Sequence, residues 1–186
     1  EPTPADIINI SNCDVFLYIG GESDTWVEDI LSSIDTSNMT IVRLIDCVDA
    51  VYEETVEGME TEAEEEHAYD EHIWTSPKNA MKMVAAIDDA LIHTDPANEK
   101  SYELRAAEYT QALETLDAEF SQIMETGKRK LILFGDRFPF RYFAQEYDLS
   151  YRAAFPGCSS ETEPSAATMA YLIETVKDEQ IPVVFY

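Results

Sequence analysis

The stretch DPANEKSYELRAAEYTQALETLDAEFSQIMETG, residues 95–127, decides the fold of this chain. Its apolar side chains recur at alternating steps of four and three, which places them on one face of a helix. Asp95 followed by Pro96 is typical of a helix start, and Gly127 is typical of a left-handed helix end. The predicted apolar face comprises Tyr102, Ala106, Tyr109, Leu113, Leu116, Phe120 and Ile123. A helix of about 30 residues is roughly 45 Å long, so it is either a core or coiled-coil helix or a spine that joins two lobes.

Alternating strand and helix patterns lie on both sides of this helix. Before it, the sequence predicts strands at 14–19 and 40–45 and helices at 4–12, 25–34 and 77–93. After it, the sequence predicts strands at 130–134, 151–155 and 181–186 and helices at 139–147 and 165–177. The fold class is therefore α/β, with an N-terminal lobe at 1–94, a linking helix at 95–127 and a C-terminal lobe at 128–186. Open α/β sheets bind ligands at the ends of their strands, so we expect a site in the cleft between the lobes.

The composition restricts the class of function. The chain has 186 residues and a formal net charge of −26, which disfavours binding to nucleic acid and favours cations. No run of about 20 apolar residues is present to form a membrane span. The segment 49–71 holds eleven acidic residues and no lysine or arginine, which predicts a mobile, solvated loop or a weak cation collector helped by His67.

His72 is the strongest candidate for a metal ligand. It lies between the acidic loop and a helix start, flanked by Asp70, Glu71 and Trp74, and a neighbouring carboxylate can orient an imidazole ring. The residues alone leave open a capping or packing role. The other candidates are His93 as a helix-capping charge, Glu161 and Glu163 as loop carboxylates, and Asp136 with Arg137 as a structural pair.

Enzymatic activity is not expected. The sequence has no nucleophile motif, no phosphate-binding glycine loop and no dinucleotide fingerprint. Three cysteines, Cys13, Cys47 and Cys158, are widely spaced and form no CxxC pair, so neither a zinc knuckle nor a thioredoxin-like site is indicated.

Four segments together resemble the substrate-binding proteins of zinc and manganese ABC transporters. They are EPTPAD (1–6), DEHIWTSPKNA (70–80), FRYFA with YDL (140–149) and ETEPS (161–165), and the second is the most specific. The resemblance covers essentially the whole chain. It implies two Rossmann-like lobes joined by one long helix, with a metal held between them, and it favours the spine over the coiled coil.

The resemblance also implies a set of metal ligands. His72 matches the histidine of the family's Asp-x-His-x-Trp element, and Glu161 is the best match to the loop glutamate of manganese-type members. Arg137 stands where zinc-type members have a ligating histidine, and an arginine near the site would hold a carboxylate such as Glu161 or Asp136 instead. The remaining family ligands would lie outside residues 1–186, and we expect the full protein to continue beyond both ends.

The resemblance predicts an extracellular binding protein, either a cell-surface lipoprotein or a periplasmic component. It would capture zinc or manganese as its transported ligand and deliver the ion to a membrane ABC permease, without a catalytic cofactor. Two alternatives stay open at this point. One is a related binder of an organic iron or cobalt complex, which would have an aromatic or basic cleft. The other is a surface adhesin in which a metal is only structural.

Overall fold

The computed structural model describes residues 2–60, 68–159 and 163–186. In these ranges the helices are α1 (Pro4–Ser11), α2 (Thr25–Ser33), α3 (Pro77–Thr94), α4 (Glu99–Thr126), α5 (Arg141–Glu146) and α6 (Ala166–Asp178). The strands are β1 (Val15–Tyr18), β2 (Thr40–Arg43), β3 (Leu131–Leu133), β4 (Arg137–Phe138), β5 (Ser150–Arg152) and β6 (Phe155–Pro156). Strands and helices alternate on both sides of α4, which confirms the predicted α/β class. None of the described helices has both the length and the apolar composition needed to cross a membrane.

The N-terminal half contains the predicted strand–helix–strand unit. β1 and β2 pair in parallel, with Val15 opposite Thr40 and Tyr18 opposite Arg43, and α2 connects them. The buried core beneath them consists of Leu44, Ile45, Ile73, Met83 and Tyr142. Since Tyr142 belongs to α5, the C-terminal half supplies one side chain to this core.

The C-terminal half contains two parallel pairs, β3 with β5 and β4 with β6. The sequence predicts one strand at 151–155, but the chain changes its pairing partner from β3 to β4 within this stretch. Ala153 and Ala154 lie at the change and are fully buried. The backbone N–H of Ala154 donates to the carbonyl of Asp136 at 3.1 Å.

The predicted final strand at 181–186 forms a single β-bridge, between Phe185 and Phe134. Two backbone hydrogen bonds hold it, from Phe185 N to Leu133 O at 2.9 Å and from Gly135 N to Phe185 O at 2.7 Å. Among the described residues this bridge is the only strand pairing of the segment, and its side chains are not buried as the apolar run predicts. The exposed side chains are Val183, Val184, Phe185 and Tyr186.

The long helix begins later than the sequence predicts. Pro96–Asn98 forms a 3₁₀ turn, and α4 then runs for 28 residues, which corresponds to about 42 Å. The prediction of a left-handed end at Gly127 is wrong, because this residue is extended at φ −65° and ψ 134°. The predicted apolar face is also only partly buried. Leu113 is 8% exposed, whereas Tyr109 and Ile123 are each 58% exposed, since α4 packs mainly on α3.

The described part of the acidic segment is a loop with exposed glutamates, as its charge predicts, but it also packs against the C-terminal half. An antiparallel bridge between Tyr52 and Tyr69 closes its base, and Met59 packs into the C-terminal core with Phe138 and Tyr151. We call residues 53–60 the acidic strap. The division of the chain at residues 94 and 128 stays a prediction. The strap belongs to the N-terminal side of this division, but it contacts the C-terminal side.

The strap carries four glutamates that contact the C-terminal half. These contacts are Glu53 Oε1 with Cys158 N at 2.8 Å, Glu54 Oε2 with Arg141 at 3.1 Å, Glu57 Oε2 with Arg152 at 3.6 Å, and Glu60 Oε1 with Ser165 N at 2.7 Å. The mutual repulsion of these carboxylates is thus offset by arginines and backbone N–H groups far away in the sequence.

Candidate metal centre

His72 is positioned by the residues on either side of it. It precedes a 3₁₀ turn at Ile73–Thr75, and α3 begins at Pro77 with Ser76 as its cap, whose Oγ accepts from the backbone N–H of Asn79 at 3.2 Å. The carboxylate of Asp70, which is only 2% exposed, accepts the backbone N–H of His72 at 2.8 Å. The same oxygen lies 3.0 Å from His72 Nδ1.

The hydrogen bond to Asp70 determines the chemistry of the imidazole. It raises the pKa of His72 against the opposing effect of burial. A proton held on Nδ1 by the carboxylate leaves Nε2 with a free lone pair, which is the arrangement in which histidine binds a metal. Asp70 therefore orients the ring in the way that the sequence predicts.

Two further donors lie beside His72 that no sequence motif indicates as metal ligands. Glu53, His72 and Cys158 each offer one ligand atom, and these three atoms lie within 4.8 Å of one another. Cys158 Sγ is 4.0 Å from His72 Nδ1. A carboxylate oxygen, an imidazole nitrogen and a thiolate sulfur are all ligands that Zn²⁺ accepts in proteins.

Burial affects both of these donors. It raises the pKa of the Cys158 thiol, and it raises the pKa of the Glu53 carboxyl although the Cys158 contact lowers it. Nothing in the sequence distinguished Glu53 from its acidic neighbours. Cys158 had one weak signal, since it lies on the loop after the predicted strand at 151–155, where a ligand was expected.

The loop that carries Cys158 lies directly against the His72 ring. A Cβ atom added at Gly157 would stand 3.2 Å from both Cε1 and Nδ1 of His72 and 2.9 Å from the carbonyl oxygen of Phe138. Arg137, at the start of β4, donates from Nε to the carbonyl of Ser159 at 2.6 Å. The loop is thus held from the β4 side and from the strap.

The other predicted residues have different outcomes. Glu161 and His67 lie outside the described residues, so their roles stay predictions. Arg137 approaches Asp136, with Nη1 at 3.9 Å from Oδ1, but its short hydrogen bond goes to the Ser159 carbonyl. His93 is exposed in the last turn of α3, in agreement with a helix-end charge.

Comparison with known proteins identifies the family of the chain. A family model described as zinc-uptake complex component A, periplasmic, matches residues 1–186. The high-affinity zinc uptake system protein ZnuA of Bacillus subtilis is 33% identical over 194 residues, covering 100% of this chain and 59% of that protein. The zinc-binding lipoprotein AdcA of Streptococcus pneumoniae is 31% identical over 189 residues, covering 100% of this chain and 37% of that protein. The chain therefore spans only part of the length of the relatives that it matches.

Two solved structures are similar to the fold. The metal-dependent lipoprotein YcdH of Bacillus subtilis has a TM-score of 0.79 at 31% identity, with 99% of this chain and 64% of that chain covered. The Zn(II)-bound ZnuA-like domain of Streptococcus pneumoniae AdcA has a TM-score of 0.74 at 29% identity, with 99% and 63% covered. The resemblance seen in the sequence motifs is confirmed, and the match over residues 1–186 shows that this chain belongs to the zinc-uptake complex component A family.

Proposed function

We propose that this chain is the metal-capturing part of an extracellular binding protein that takes up a divalent transition metal, zinc or manganese. The observation that carries the proposal is His72, whose ring Asp70 orients beside the donor atoms of Glu53 and Cys158. The family to which the chain belongs consists of transport components and not of enzymes, which agrees with the lack of a catalytic motif.

The partner and the cellular location of the protein belong to the same proposal. The ion would be delivered to a membrane ABC permease, and the protein would act outside the cytoplasm as a cell-surface lipoprotein or a periplasmic component. Two relatives, a zinc-binding lipoprotein and a zinc uptake system protein, support this assignment. The ion is cargo, so no catalytic cofactor is proposed.

Glu161 is retained in this proposal as a second ligand, on the basis of the resemblance alone. The described donors do not favour the organic iron or cobalt complex, because that ligand would need an aromatic or basic cleft. Trp74 does stand near the site, 5.5 Å from His72 between ring centroids, but it is 49% exposed and forms no aromatic cage with a second described ring. The adhesin alternative has no observation in its favour among the described residues.

The test is the removal of the imidazole. We expect His72→Ala to weaken zinc binding on the order of 100-fold or more, since even the loss of a residue that only supports a ligand costs 10–100-fold. Isothermal titration calorimetry with Zn²⁺ and Mn²⁺ measures the change. His93→Ala is the matched control, because it removes an exposed imidazole at the end of α3. Equal zinc affinity in the two variants would refute the proposal.

A further inference from the structure

We propose that Cys158 is a ligand of the transported metal, and that its thiolate makes the site select zinc over manganese. This inference rests on the proposed function, because the ion that Cys158 binds is the one held by His72. Sulfur is a soft donor that suits zinc, whereas manganese favours oxygen donors. The thiol would therefore decide between the two metals that the sequence left open.

The distances fit a site that contracts slightly around an ion. In tetrahedral zinc sites, bonds of about 2.3 Å to sulfur and 2.0 Å to nitrogen place neighbouring ligand atoms about 3.5 Å apart. One ligand atom from each of Glu53, His72 and Cys158 lies within 4.8 Å of the other two. Side-chain rotations that move the donor atoms by about 1 Å would bring them to the separation found in such sites. The thiol proton leaves to solvent as the sulfur–metal bond forms, and the metal keeps its oxidation state.

Three separate features fix the position of the loop that carries Cys158. The backbone N–H of Cys158 donates to Glu53 Oε1 at 2.8 Å. Gly157 allows the loop to lie against the His72 ring. Arg137 fixes the far side of the loop through the Ser159 carbonyl. Arg137, which stands in place of the family histidine, thus holds the loop that supplies the Cys158 thiol.

The other two cysteines have surroundings of a different kind. Cys13 Sγ donates to the carbonyl of Ile10 at 3.2 Å, and Cys47 Sγ lies 3.9 Å from the carbonyl of Arg43. Neither belongs to the donor cluster found among the described residues. The chain therefore contains its own controls for a thiol-specific experiment.

Cobalt(II) provides the direct test, because a cobalt–thiolate bond gives a near-ultraviolet charge-transfer band that nitrogen and oxygen ligands do not. We expect this band in the full chain loaded with Co²⁺, its loss in Cys158→Ser, and its retention in the Cys13→Ser/Cys47→Ser double variant. Calorimetry should show zinc affinity falling about tenfold or more in Cys158→Ser, with manganese affinity changed by less than about twofold.

The outcomes separate this inference from the proposed function. If His72→Ala loses zinc but Cys158→Ser keeps the cobalt band and the zinc-to-manganese ratio, only the role of Cys158 is refuted. If His72→Ala binds zinc normally, the proposed function itself fails.

A measurement on the unaltered protein tests the inference even if a variant does not fold. Zinc should protect Cys158, but not Cys13 or Cys47, from iodoacetamide as measured by mass spectrometry, and unprotected alkylation of Cys158 would overturn the inference.

Discussion

Gly157 has no side chain, and this absence controls the position of the neighbouring Cys158 thiol. Its backbone lies so near Phe138 and the His72 ring that a methyl group would meet a carbonyl oxygen at 2.9 Å. Backbone cannot yield as a flexible side chain does, so any larger residue must displace the loop. The displacement would carry Cys158 away from His72.

We therefore expect Gly157→Ala to lower the free energy of unfolding by about 1–3 kcal/mol, the usual cost of overpacking, and to weaken zinc binding as well. Urea denaturation and calorimetry measure the two effects. Gly135→Ala is the matched control, since a Cβ there would meet its nearest atoms at 3.7 Å, an ordinary contact. A Gly157→Ala protein as stable and as zinc-avid as the control would show that the close approach is not needed.

At the scale of elements, α5 connects the two halves through one hydroxyl group. Tyr142 Oη accepts the backbone N–H of Val51 at 3.2 Å and donates to the carbonyl of Asp70 at 2.7 Å. The side chain is 4% exposed, and burial raises the pKa of its phenol to about 12. This hydroxyl thus holds the chain on both sides of the acidic segment, close to the residue that orients His72.

Tyr142→Phe keeps the ring and removes both hydrogen bonds, leaving one partly buried donor and one buried acceptor without that partner. We expect a loss of about 1–3 kcal/mol in the free energy of unfolding, because an unsatisfied buried polar group costs its full desolvation. Chemical denaturation followed by circular dichroism measures it. Tyr109→Phe, on the exposed face of α4, should change stability by less than about 0.5 kcal/mol. Equal midpoints for the two variants would contradict this role.

The elements also show where sequence reasoning succeeds. Helices α3 and α6 were predictable because their signals are local: a serine cap at Ser76 or Ser165 followed by apolar residues at helical spacing. Only part of the candidate metal centre could be predicted from the sequence. His72 belongs to a local motif, but Glu53 and Cys158 are 105 positions apart and meet only in the folded chain. Charge density alone predicted a solvated segment, because it carries no information about the distant arginines that contact the strap.

At the scale of the whole molecule, the net charge of −26 opposes compactness. Ion pairs such as Arg152 with Glu57 and Arg141 with Glu54 offset it only locally, and partly exposed pairs contribute at most about 1 kcal/mol each. We expect the general repulsion to dominate, so that salt stabilises the fold by screening it.

Raising sodium chloride from about 0.01 M to 0.5 M should therefore raise the melting temperature by several degrees, because the Debye length falls from about 30 Å to less than 10 Å. Differential scanning calorimetry in the presence of a chelator measures the shift. Tetramethylammonium chloride at equal ionic strength is the control, since its cation screens charge but does not bind to carboxylates as a small metal ion does. A melting temperature that falls with salt would mean that the ion pairs outweigh the repulsion.

The donors that meet at the candidate metal centre come from three distant stretches of chain, around residues 53, 72 and 158. An unfolded chain would scatter them, so the ion would bind the native state more tightly than the unfolded chain. Cargo and folding are then thermodynamically linked: an ion present at 100 times its dissociation constant would add about 2.7 kcal/mol to the stability of the loaded form. Under the proposed function, release of the ion would give up that increment, so the empty protein would unfold more readily than the loaded one.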